Sequence, residues 1–217
     1  PTLLANGFGE HNIQGIGDKH IPLIHNMMNT DFVIGVSDAA TDSLGLLFNT
    51  EVGQQYLTER KGLPAELVRR LPSFGFSGIA NVLGAIKLAK QQDLGPDDAI
   101  ITVATDGWAM YASEDEKILG QRFGGRFDAL SAAEVFGQHL AGQGVDHTME
   151  LSHADRTRMF NLGYFTWVEQ QGVSIEDFQA RRDQRFWRGL RDYLPVWDAL
   201  IEQFNAKTGL TGPERAG

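Results

Sequence analysis

Read for apolar periodicity, the chain alternates short apolar runs with helical patterns in its first half and is helical throughout its second. Thr2 to Ala5 is a short apolar run feeding the loop Asn6-Gly7-Phe8-Gly9, and Asp31-Phe32-Val33-Ile34-Gly35-Val36 reads as a buried strand. Ser37-Asp38 then caps a helix beginning near Ala39. Residues 44–61 read as helix, stopped by Gly62-Leu63-Pro64, and a short amphipathic piece spans Ala65 to Leu71. Apolar residues at Ile79, Val82, Leu83, Ile86 and Ala89 keep the spacing of a helix packed on one face. After the turn Gly95-Pro96-Asp97-Asp98, the continuous run Ala99 to Ala104 has the composition of a central parallel strand and ends at Thr105-Asp106-Gly107. Strand, helix and strand in that order predict an α/β fold, an open, mainly parallel sheet flanked by helices with right-handed crossovers.

From about Ser113 the pattern changes. Ser131 to Leu140, Asp155 to Gln171, Ile175 to Tyr193 and Val196 to Phe204 are the predicted helices, with no strand among them. The chain is therefore expected to divide into an α/β part over 1–113 and a C-terminal helical extension over 114–217. Three of the four tryptophans, Trp167, Trp187 and Trp197, lie in that extension, where core packing or a homo-oligomer interface is their expected use.

Composition narrows the function classes. Against 28 acidic residues stand 19 basic ones, a net charge of −9, which argues against nucleic acid or an anionic membrane as the main partner. The 217 residues contain no cysteine, which removes disulfides, thiolate nucleophiles and cysteine zinc sites and fits a cytoplasmic location. No apolar run approaches the ~20 residues needed to span a bilayer. The sequence opens on Pro1 with no initiator Met, so its N-terminus is expected to come from cleavage, from processing or from the choice of segment.

Several candidate motifs fail on spacing. Gly7-Phe8-Gly9 and Gly15-Ile16-Gly17 lack the third glycine of a dinucleotide fingerprint, whose places hold Asn12 and His20. Ser77 lacks the glycine of a nucleophile elbow, because Ile79 stands there, and reads as the N-cap of the next helix. His11, His20 and His25 share a loop without metal-ligand spacing, so no metal site is expected. Arg181, Arg182, Arg185, Arg188 and Arg191 alternate with Glu176, Asp183 and Asp192, the pattern of a solvated, ion-paired helix face.

Three segments taken together carry more. Gly9-x-His11-x-Ile13-Gln14-Gly15-Ile16-Gly17, ending in Ile21-Pro22, resembles the G-P-H-K-I-Q-G-I-G…I-P stretch of cysteine synthase and its relatives. Gly75-Phe76-Ser77-Gly78-Ile79-Ala80 is similar to their G-I-S-S-G-A-A loop, and Thr105-Asp106-Gly107 with Tyr111-Ala112-Ser113 resembles their S-G-E-R-Y-L-S end. The family is the fold-type II pyridoxal-phosphate superfamily, and the resemblance covers residues 1 to about 113. Glu10 and Asn12 replace the usual Pro and Lys, and the third segment is one residue longer before Tyr111.

The resemblance implies a function. The chain would be the C-terminal portion of a pyridoxal-phosphate-dependent amino-acid lyase or β-replacement enzyme. An N-terminal half or partner chain would carry the Schiff-base lysine and the phosphate loop. Gly15 and Gly17 would let the main chain lie against the cofactor ring, and Gln14, Ser77 and Gly78 would form the substrate-side loop. Thr105 and Asp106 are both candidates to face the pyridine nitrogen, a hydroxyl leaving it unprotonated and a carboxylate holding it as pyridinium. No residue of this chain would be catalytic, and Lys19, beside Asp18, is not expected to be the cofactor lysine. The alternative is a cofactor-free α/β module with a regulatory or scaffolding role.

Overall fold

The Ser37 hydroxyl accepts the N–H of Ala40 and starts helix α1 (Asp38–Asn49), as its sequence predicts. Every residue of α1 from Ala40 to Phe48 is buried, an arrangement open only to a helix surrounded by other elements. The computed structural model describes Leu4, residues 7–13 and residues 19–209, and it is mainly helical. Two compact units form, one from residues 1–22 with 31–151 and one from residues 23–30 with 152–217.

In the first unit, Thr50 leaves helical geometry and re-caps the chain, so that α2 (Glu51–Gln55) runs into a π-helical turn, Tyr56–Arg60. Then follow α3 (Ala65–Arg70), α4 (Phe76–Gln91), α5 (Ala112–Phe123) and α6 (Ala129–Phe136), the last capped by the Asp128 carboxylate. Leu44, Leu47, Phe76, Ile79, Leu83, Trp108 and Ile118 form the centre of one apolar cluster around α1. Each such fully buried side chain contributes about 1.5–3 kcal/mol. Phe76 packs edge-on against Tyr111 and tilted against Trp108, both at 4.7 Å between ring centres.

The sheet is small. Strand β1 (Phe32–Ile34) pairs antiparallel with β2 (Thr148–Glu150), with Phe32 opposite Glu150 and Ile34 opposite Thr148. This corrects the expected open, mainly parallel sheet, since no parallel ladder forms among the described residues. The first predicted strand survives as the three residues of β1. The second, Ala99 to Ala104, is not a strand, and Ile101 is 96% exposed and Val103 67% exposed. An apolar run becomes a central strand only when neighbouring strands take its N–H and C=O groups; no strand among the described residues does so, and the Val103 carbonyl accepts from the Asn81 side chain instead. β2 was missed because its three residues, Thr-Met-Glu, carry no apolar alternation. No single helix among the described residues is long and apolar enough to cross a membrane.

In the second unit, α7 (His153–Leu162) opens with a capping box between Ser152 and Asp155 and leads through a π-helical turn, Phe165–Gln170, to α8 (Ile175–Ala180). Helix α9 (Gln184–Gly189), a 3₁₀ turn (Leu190–Tyr193) and α10 (Leu194–Thr208) complete it. Arg181 departs from the expected solvated arginine face. Its guanidinium is buried over the rings of Phe160 and Phe178, 5.2 and 4.8 Å from their centres, and it donates to the Leu23 carbonyl. The expectation of a solvated pair holds for Arg185, which is exposed and bridged to Asp183.

Gly45 faces the Trp108 ring so closely that an added Cβ would overlap it. Gly45→Ala should therefore cost about 1–3 kcal/mol through overpacking, although alanine gains about 1 kcal/mol of helix propensity. Thermal unfolding followed by circular dichroism should show a lower midpoint, and an unchanged or raised midpoint would contradict this packing.

Candidate functional site

The second and third segments of the resemblance meet in space. Helix α4 begins at Phe76 with Gly75 as its N-cap, so Ser77 is the second helical residue and not the cap predicted for it. The Gly75 N–H donates to the Asp106 carbonyl at 2.9 Å. A Cβ on Gly75 would lie 2.6 Å from the Tyr111 ring and 3.0 Å from that carbonyl, so only glycine allows this approach. Ser77 and Gly78 are buried along α4, with Gly78 against the Phe74 ring, while Thr105 and Asp106 are exposed. One turn further along α4, the Asn81 side chain donates to the Val103 carbonyl at 2.8 Å and holds the preceding apolar run beside the helix.

The Tyr111 hydroxyl donates to Asp106 Oδ2 at 2.5 Å. Burial, and then the Asp106 carboxylate beside it, push the Tyr111 hydroxyl up to about 12, so it remains a donor through the neutral range. Nearby, the Trp108 indole N–H donates to Asp115 at 2.9 Å.

Gln14, Gly15 and Gly17 lie outside the described residues. The described start of their segment turns elsewhere. The Asn12 N–H donates to Asp38 at 2.9 Å and its side chain to Asp42 at 3.1 Å, which ties the loop to the first turns of α1. Glu10 and His11 then line a cavity of about 520 Å³ with Gly35 to Asp38, Lys87, Gln138, His139, Asp146 and His147. Ser77, Thr105 and Asp106 are not among its walls.

Two groups in this cavity are chemically informative. Lys87 is 4% exposed and donates to the carbonyls of Gly35 at 2.9 Å and Asp146 at 2.8 Å, with the Asp146 carboxylate 3.6 Å away. With three acceptors around its ammonium, Lys87 is tied between α4 and the strand ends as an anchor. Both ring nitrogens of His11 are buried without a hydrogen-bond partner among the described residues, and they offer one donor and one acceptor to a small polar molecule. Lys87, read from the sequence as a solvated lysine on a helix, is buried instead, and its place four residues after buried Leu83 is the register signal that would have found it. His139 and His147 carried no such signal, because the tertiary path of the chain alone brings them here.

For a pyridoxal phosphate, the described residues supply one carboxylate, Asp106, on open surface between Gly75 and Gly107. They do not close around the group, and none of their lysines is placed to bond it. The described residues do not hold the group by themselves.

Burial, with Arg122 nearby as the lesser cause, holds the His139 imidazole below its ordinary value. The unfolded chain therefore binds more protons once the pH falls below about 6.5, and stability declines from there until the folded-state value is passed. His139→Gln should flatten part of this decline in urea midpoints compared between pH 5 and pH 7.5. An unchanged slope would show that His139 titrates freely in the folded protein.

Comparison with family models, with curated proteins and with solved structures returns no match to this chain.

Proposed function

We propose that this chain is one component of a pyridoxal-phosphate-dependent lyase or β-replacement enzyme acting on an amino acid in the cytoplasm, completed by a second polypeptide segment that carries the Schiff-base lysine and the phosphate loop. The observation that carries this reading is the apolar run Ala99 to Ala104. It stands exposed, without a backbone ladder among the described residues, and leads directly into Thr105-Asp106-Gly107. A segment so apolar is stable in water only when covered, and a strand from another polypeptide would take its unpaired backbone groups and its side chains together.

The bond between Gly75 and Asp106 supports the same reading, because it joins two of the three resembling segments at one end of that run. The described lysines support the need for a second segment. Lys87 is engaged by the Gly35 and Asp146 carbonyls, and Lys19 pairs with Glu10 at 3.3 Å, so both ammonium groups are already partnered within the chain. A second reading, a cofactor-free regulatory or scaffolding component, is favoured by one observation: Tyr111 already occupies an oxygen of Asp106, the carboxylate a pyridine nitrogen would use.

Borohydride reduction of the chain with pyridoxal phosphate, followed by peptide mapping, separates these readings. The chain alone should be inert towards serine and O-activated serine, with no stoichiometric label on Lys19 or Lys87. Co-expressed with the coding sequence that flanks it in its own gene, it should bind the cofactor with visible absorbance, and the label should map to the other segment. Turnover by the chain alone, with label on Lys19 or Lys87, would overturn the proposal. Absence of cofactor binding by the complete assembly would favour the cofactor-free reading.

A further inference from the structure

Helix α10 is a good helix with nothing on its apolar side. Residues of α10 are exposed nearly throughout, none is buried, and among the described residues only the turn Leu190–Tyr193 packs extensively on it. Leu190, Tyr193, Trp197, Leu200 and Phe204 follow one another at spacings of three, four, three and four residues. Over Trp197, Leu200 and Phe204 that is the a/d spacing of a helix that pairs with another helix, and Leu190 and Tyr193, in the preceding 3₁₀ turn, continue the apolar stripe. These five are between 42 and 61% exposed.

The flanking positions extend the stripe. Leu194 and Ile201 occupy successive e positions and are 51 and 57% exposed. Val196, at g, widens it on the other side. The charged residues Arg188, Arg191, Asp192, Asp198 and Glu202 fall at b, c and f, away from the seam, and Lys207, at d in the last turn of α10, ends the apolar seam at Phe204. An eight-residue apolar face with no charge at e or g is broader than a two-stranded zipper needs and suits the packed face of a helical bundle.

We infer that this face is a self-association surface whose occupant is the same helix of a second copy of this chain. Two features select that occupant. The first is area. Half-exposed side chains of this size present about 100 Å² each, so the face offers on the order of 700 Å² per chain, close to the roughly 800 Å² per partner of a stable interface. The second is charge. Two copies that each carry −9 meet here without setting like charges against each other, because the seam from Leu190 to Phe204 holds no charge. A partner of different chemistry, such as a basic helix, would find no acidic anchor at the e and g positions. The inference does not depend on the cofactor reading, because no residue of the seam belongs to the segments that carry it.

Analytical ultracentrifugation of the full chain, run as a dilution series down from tens of micromolar, tests it. The wild type should sediment as an even-numbered assembly that dissociates on dilution. Trp197→Asp combined with Leu200→Asp should halve the mass or reduce it further at equal concentration, with far-UV circular dichroism unchanged, since both side chains are already half-exposed. Glu202→Lys, at an f position, should leave the mass as in the wild type. A wild type that is monomeric at the highest concentration overturns the inference. So does a double variant that keeps the wild-type mass, which would place the contact elsewhere, for instance at the Ala99 to Ala104 run.

Discussion

The first unit is organised around a carboxylate in the middle of a buried helix. Asp42 is 4% exposed within α1, and its oxygens accept from the Arg122 guanidinium at 2.7 and 2.9 Å and from the Asn12 side chain at 3.1 Å. Burying an ion alone costs several kcal/mol, and removing one partner of a buried pair costs about 3–5 kcal/mol. These bonds therefore oblige α5 and the 11–13 loop to sit where they do. Lys87 does the same across α4 and the two strand ends. With strands only three residues long, backbone ladders bind few elements together, and two buried ions with their acceptors take over that role.

The same chain leaves much apolar surface uncovered. It encloses α1 completely, yet Ile101 and Val103 stand open at one place and the face of α10 at another. Scattered apolar residues on a surface are ordinary, but a continuous run beside unpaired backbone, or a seam at heptad spacing, marks contact with another polypeptide. The candidate site is affected accordingly. Asp106 and Thr105 end an uncovered run, so their chemistry depends on what covers it, whereas the His11 cavity is walled by the first unit's own residues.

Helices were legible in the sequence wherever periodicity and caps agreed. Ser37 before α1, Pro64 before α3 and the apolar spacing of α4 each placed an element within a residue or two. The sheet was not legible in the same way. Ala99 to Ala104 has the local composition of a parallel strand, but a strand's partners are set by distant chain, and here the described chain supplies none. Arg181 misled for a related reason. Its neighbours in sequence are charged, while Phe160, Phe178 and the Leu23 carbonyl, which bury it, come from elsewhere. Ser77 was placed near the right helix start but two residues late, because Gly75 makes the bend. At the site, the meeting of Gly75 with Asp106 agreed with motif order, whereas the cavity of His11, His139 and Lys87 assembles from segments more than a hundred residues apart.

Hydrogen–deuterium exchange of the isolated chain, resolved to short peptides, tests most directly whether the Ala99 to Ala104 run lacks a strand partner. Amides of Ile100 to Ala104, which have no backbone acceptors among the described residues, should exchange at nearly the rate of an unstructured peptide, while those of Leu44 to Phe48 in α1 should open only near global unfolding. Protection of Ile100 to Ala104 comparable with that of α1 would contradict the account, because it would mean the chain pairs this strand by itself and needs no second polypeptide to cover it.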